Sequence, residues 1–140
     1  MKILLAVDGS ECSKHAVKCV IKRWNSLGKK PVVILAYVDP PLLRRVAVAL
    51  GSAEVDRYHA ENASFALESA QRAFKRAKLD VTEATLVGEP GETLAKLAVD
   101  GKFDLVAMGS HGHGAFRNLL LGSVASKLIS GCQVPVLILR

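Results

Sequence analysis

A chain of 140 residues is long enough for one domain with a single core, and no linker, repeat or low-complexity tract divides it, so residues 1–140 are read as one domain. Half of the residues are hydrophobic and 23% are charged, which excludes a disordered chain. The net charge is +6, and no apolar run nears the roughly 20 residues that span a bilayer, so no membrane association is expected.

The first apolar run, residues 2–7, reads as a strand buried on both faces. Its hydrophobic part is shorter than the ~7–15 residues of a secretory signal and ends at Asp8, so the protein is expected to be cytoplasmic. Asp8-Gly-Ser10 breaks the strand. Ala16, Val17, Val20, Ile21, Trp24 and Leu27 then recur as one helical stripe, with Gly28 placed to close the helix. Cys12 and Cys19 share a face of this helix but stand roughly 10 Å apart along its axis. With Cys132 they make an odd count without C-x-x-C spacing, so free thiols are expected.

Residues 32–38, rich in β-branched side chains, form a second strand that Asp39-Pro-Pro41 ends. Residues 42 to about 50 read as a mobile or partly helical connection. A long helix is expected from 52 to 78, with Val55, Tyr58, Phe65, Ala66, Ala70, Ala73, Phe74 and Ala77 on its buried side. Residues 81–87 alternate as a third strand. Pro90 suits the first position of a helix, Glu92 its first turn, and Leu94, Leu97 and Ala98 its inner face; Gly101 stops it. A fourth strand over 104–108 runs into a glycine-rich loop, a helix over 124–130 capped by Gly131, and a last strand over 134–139.

Strands alternating with helices imply an α/β fold: a five-stranded parallel sheet with helices on both faces. In such sheets ligands bind beyond the carboxyl ends of the strands, at the switch point. With strand order 3-2-1-4-5, Asp8 and Gly109 face one pocket there.

The basic residues are dispersed: Lys14, Lys18, Lys22 and Arg23, then Lys29 and Lys30, then Arg72, Lys75, Arg76 and Lys78. They mix with acids and lack interleaved aromatics, so no nucleic-acid partner is expected. His111 and His113 have no neighbouring ligand to complete a metal site. His15 and His59 read as surface residues.

The stretch Gly109-Ser-His-Gly-His-Gly-Ala-Phe-Arg-Asn-Leu-Leu-Leu-Gly-Ser123 joins a strand end to a helix start. Backbone amides in such a loop converge on anions, and the helix dipole favours negative charge there. It is no Walker A loop, because no lysine lies between Gly109 and Ser126. The first turn, Asp8-Gly-Ser-Glu-Cys-Ser13, fails the dinucleotide fingerprint, and no G-x-S-x-G elbow is present. Asp8 and Ser123 also suit simple helix caps, and Arg117 suits either phosphate or solvent.

The spacing Gly109-x-x-Gly112-x9-Gly122-Ser123, together with Val-Asp-Gly-Ser10 at the end of the first strand, resembles the nucleotide-binding branch of the universal stress protein family. The resemblance spans the whole chain. It implies a Rossmann-like fold of the adenine nucleotide alpha hydrolase-like kind and a site for ATP or a related adenine nucleotide. Val38 would offer backbone groups to the base, and Asp8 would face the ribose or base. Gly109, Gly112, Gly122 and Ser123 would hold the phosphates, with amides from Val124 and Ala125. Gly9, Ser10, Met108 and His111 complete the candidate set.

His113 stands where the family often has arginine or lysine, so phosphate affinity is expected to vary with pH. A magnesium or manganese ion could accompany the phosphates. The resemblance also implies a homodimer through residues Val134 to Leu139, an exposed apolar edge. It leaves the output open: a stress-response or signalling module, a slow ATPase, a cyclic-AMP-type sensor, or a nucleotide-independent interaction or chaperone-like protein. The protein partner stays unknown.

Overall fold

The computed structural model of the chain describes residues 1–26, 31–114 and 120–140. Leu27, Gly28, Lys29, Lys30 and Arg117 therefore lie outside the described residues. Five strands form one parallel sheet: β1 (Lys2–Ala6), β2 (Val32–Asp39), β3 (Thr82–Val87), β4 (Leu105–Gly109) and β5 (Val136–Leu139), in the expected order β3-β2-β1-β4-β5. β1 is central. Its Leu4 pairs with Ile34 of β2 on one side and Val106 of β4 on the other.

Because successive side chains point to opposite faces, the central strands divide into two cores. Ile3, Leu5, Val33 and Leu35 pack under helices α1 (Glu11–Lys22) and α3 (Ser52–Arg76). Leu4, Ala6, Ala36, Val106 and Met108 pack under α4 (Pro90–Asp100) and α5 (Ser123–Gly131). Both faces are covered, which is why these strands read as unbroken apolar runs.

Ser10 is the N-cap of α1: its Oγ accepts from Ser13 N at 3.2 Å. Ala16, Val17 and Val20 form the buried stripe. The helix ends at Lys22, earlier than the apolar spacing suggests, and a 3-10 turn over Trp24–Ser26 follows. The turn sets Trp24 edge-on against Phe74 of α3, with ring centroids 5.9 Å apart.

The connection after β2 contains a short helix, α2 (Arg44–Leu50), none of whose residues is buried. In α3 the inner face is Ala63, Ala66, Leu67, Ala70 and Phe74. Phe65, expected inside, is 74% exposed, and Tyr58 is also exposed. α4 starts as expected with Pro90 in its first turn; Glu89 is its N-cap and accepts from Glu92 N at 2.8 Å. The Glu92 amide, and then Lys127 at 3.0 Å, hold the Glu89 carboxyl below its ordinary range. β5 begins at Val136 rather than Val134: Val106 N bonds Pro135 O, and Pro135 has no N–H to extend the ladder.

Helix α1 approaches the sheet closely at Gly109. A Cβ there would lie 2.7 Å from the carbonyl carbon of Cys12 and 2.8 Å from its oxygen. We expect Gly109→Ala to destabilise the fold by about 1–3 kcal/mol through overpacking. Gly131→Ala, with open space around it, should leave the urea unfolding midpoint unchanged or raise it. Equal midpoints for the two variants would contradict this packing.

Candidate functional site

At the carboxyl edge of the sheet β1 turns toward α1 on one face while β4 leads toward α5 on the other. The crevice between them opens into a cavity of about 720 Å³. Of the residues singled out from the sequence, Asp8, Val38, Met108 and Gly109 line it. So do His111, Gly112 and His113 of the loop, and Gly122, Ser123, Val124 and Ala125 at the start of α5. Gly9 and Ser10 do not line it; they build the turn that presents Asp8.

That turn is tightly specified. Gly9 has φ +80, and a Cβ on it would stand 3.4 Å from Ala66 Cα of α3, so a side chain would meet both strain and the helix. Asp8 is not the helix cap; its Oδ1 accepts from Ser10 N at 2.9 Å, and Ser10 does the capping. Ser10 Oγ also donates to His111 O at 3.4 Å, tying the turn to the glycine loop.

The loop is closed on itself by Gly122 N donating to Ser110 O at 2.8 Å. His113 Nε2 lies 2.7 Å from Asp8 O and donates to it, so this imidazole braces the loop against the end of β1. Among the described residues of the loop no glycine has positive φ. Two of them serve close approach instead: a Cβ on Gly112 would sit 2.7 Å from Asp8 Oδ2, and one on Gly122 3.3 Å from His111 Cα, whereas Gly114 has open space around it.

α5 has Gly122 as its N-cap, with no capping side chain, and Ser123 is its first helical residue. The amides of Ser123, Val124 and Ala125 therefore start a helix at the cavity wall without an intrahelical acceptor. Among the described residues no lysine or arginine lines the cavity. Attraction for an anion would come from these amides and the helix dipole.

The opposite end is apolar, with Ala36, Val38, Leu94 and Met108 on one side and Phe65, at the rim, on the other. Ala36 O accepts from Val7 N at 2.9 Å, so Ala36 directs its backbone groups toward β1. With the strand's period of two, Val38 does the same. β1 has already turned away at Asp8, which leaves the Val38 N–H and C=O facing the crevice.

One cluster was missed by the sequence reading. Asp39 is buried, and three donors converge on it: Tyr37 Oη at 2.8 Å, His59 Nδ1 at 2.6 Å and Asn62 Nδ2 at 2.9 Å. His59 is therefore no surface residue; its side chain is 13% exposed. Burial alone would push the Asp39 carboxyl up, but the bonds from Asn62, His59 and Tyr37 outweigh it and hold the group below its ordinary value of 3.8. Burial, followed by the bond to Asp39, pushes the Tyr37 phenol well above its ordinary range. Tyr37 and Asn62 both line the cavity.

All three cysteines are free and half-buried. Among the described residues no helix is long and apolar enough to cross a membrane, and no three His, Cys, Asp or Glu side chains gather as a metal cluster.

Comparison with known proteins gives a consistent picture. The model of the Universal stress protein family matches residues 1–140. Universal stress protein MJ0577 of Methanocaldococcus jannaschii is 29% identical over 153 residues, covering 99% of this chain and 94% of its own. A universal stress protein of Thermus aquaticus is 30% identical over 150 residues, covering 99% and 97%. Among solved structures, that of MJ0577 superposes with a TM-score of 0.82 at 31% identity, over 99% of this chain and 94% of the other. A universal stress protein in complex with cAMP superposes with a TM-score of 0.69 at 27% identity, over 100% and 97%.

The Asp39 cluster sets a pH dependence. A carboxyl held low in the folded state contributes stability that is present above its unfolded value and lost as pH falls through the folded one. Asp39→Asn should cost about 2 kcal/mol at neutral pH. The gap to wild type, followed by urea unfolding, should shrink as pH drops below about 4. A gap independent of pH would mean that Asp39 is not held as a carboxylate.

Proposed function

The chain belongs to the universal stress protein family, and from that premise we propose that it is an adenine-nucleotide-binding module of the stress response, holding ATP or a related nucleotide in the crevice between β1 and β4. The observation that carries this reading is the pairing, in one cavity, of an apolar end with exposed strand backbone and a second end built of glycine-loop and helix-start amides.

In this reading the base lies at Val38, among Ala36, Leu94 and Met108, and bonds the Val38 backbone. Asp8 takes the ribose side. The phosphates lie against Gly109, Gly112, Gly122 and Ser123, with the Val124 and Ala125 amides completing the cradle. Glycine matters here because a Cβ at 112 would press on the Asp8 carboxylate and one at 122 on the Ser110–His111 backbone, displacing the loop from the geometry in which its amides face the phosphates. We read the loop as a binding element, and the role as recognition of the nucleotide rather than its turnover. A magnesium or manganese ion would be carried by the phosphate oxygens. The structure of a relative with cAMP supports the choice of adenine nucleotides as a class.

The reading extends to assembly. β5 is a free edge of the sheet with Leu137 exposed, and the edge from Val134 to Leu139 pairs antiparallel with a second copy.

Titration calorimetry with ATP tests the site. Gly122→Val drives a side chain into the Ser110–His111 backbone, and affinity should fall more than about tenfold; equal affinity in wild type and variant would overturn the placement of the phosphates. For assembly, sedimentation at micromolar concentration should give twice the chain mass, reverting to one chain in Leu137→Lys. A wild-type monomer would remove the dimer.

A further inference from the structure

Asp39 is the one buried carboxylate among the described residues, and its role is not explained by packing. An ionised carboxylate only accepts hydrogen bonds. Each of its three partners must therefore donate, and the Tyr37 hydroxyl and the Asn62 amide keep an acceptor oxygen turned elsewhere. For Asn62 this settles the amide: Nδ2 goes to Asp39 Oδ2 at 2.9 Å, and Oδ1 points away from it. For Tyr37 the hydroxyl proton goes to Asp39 Oδ1 at 2.8 Å, leaving Oη as an acceptor. Asn62 and Tyr37 both line the cavity, on the wall formed by α3 and the end of β2.

This wall is thus an acceptor surface fixed from behind by a buried anion. Asn62 is held on α3, one helical turn past His59, which donates to the same carboxylate. The amide cannot turn over without placing its oxygen against Asp39. Building on the nucleotide reading above, we propose that Asn62 is a specificity-determining contact, its Oδ1 accepting a hydrogen bond from the nucleoside, and that Asp39 is the positioning residue that fixes its polarity. The donor is either the exocyclic amino group of the base or a ribose hydroxyl. A wall of acceptors backed by a carboxylate also repels phosphate, so the same cluster orients the ligand with its anionic end toward α5.

Calorimetric affinities for four nucleotides test this. ITP replaces the 6-amino donor of ATP with an acceptor, and 2′-deoxy-ATP and 3′-deoxy-ATP each lack one ribose hydroxyl. Wild type should discriminate against at least one analogue by about tenfold or more, since a site built around a hydrogen bond rejects the ligand that lacks it. In Asn62→Ala that ratio should fall toward one, with the fold retained and the unfolding midpoint lowered by the lost bond to Asp39. Asp39→Asn, which keeps Asn62 but frees its amide to turn, should lose the same ratio. The analogue whose penalty disappears names the donor. Ratios unchanged in Asn62→Ala while ATP still binds would overturn the role of Asn62 and leave the nucleotide site standing. A wild type that binds none of the four would overturn the nucleotide reading, and this inference with it.

Discussion

The central position of β1 is the constraint on which the rest depends. With β2 on one side and β4 on the other, the chain leaves β1 toward α1 on one face and leaves β4 toward α5 on the opposite face. Two connections that diverge in this way cannot close over the strand ends, so the carboxyl edge opens as a crevice. The contact of Gly109 with the Cys12 backbone holds the start of that crevice at fixed width. From it the other features follow: Asp8 meets Gly112, His113 reaches the Asp8 carbonyl, and Ser10 reaches His111. The turn after β1 and the described part of the loop after β4 are thus tied into one rim.

The rim is chemically polarised. Toward α5 it presents backbone donors at a helix start without a capping side chain. Toward β2 and α3 it presents acceptors, because Asp39 accepts the hydrogen bonds that Tyr37, His59 and Asn62 can donate. Helix dipole and buried carboxylate act in the same sense, favouring negative charge at one end and hydrogen-bond donors at the other. Among the described residues no lysine or arginine lines the cavity; in the proposed reading the backbone polarisation takes the part that lysine plays in other phosphate loops.

The sheet was legible in the sequence because each central strand is buried on both faces and reads as an apolar run. The glycine loop was legible because its spacing follows a strand directly. What escaped notice involves partners distant along the chain or helices without an inward stripe. His59 looked like a surface residue because its partner, Asp39, lies on a different element and is buried by the fold. α2 gave no periodic signal because it buries nothing. Phe65 followed helical spacing closely enough to be taken for core, yet it falls at the mouth of the cavity, one position from the buried Ala66. Trp24 extended the apolar stripe of α1 beyond the helix because a 3-10 turn keeps it on the same side.

The central claim is that a nucleotide lies across the crevice with its phosphates at α5. The most direct measurement is an amide chemical-shift titration of the labelled protein with ATP. The account predicts large, saturable shifts at Gly109, Gly112, Gly122 and Ser123–Ala125, a second group at Val38 and the Asn62 side-chain amide, and little change at β3 and α2. Absence of saturable shifts, or shifts confined to residues away from this edge of the sheet, would contradict it.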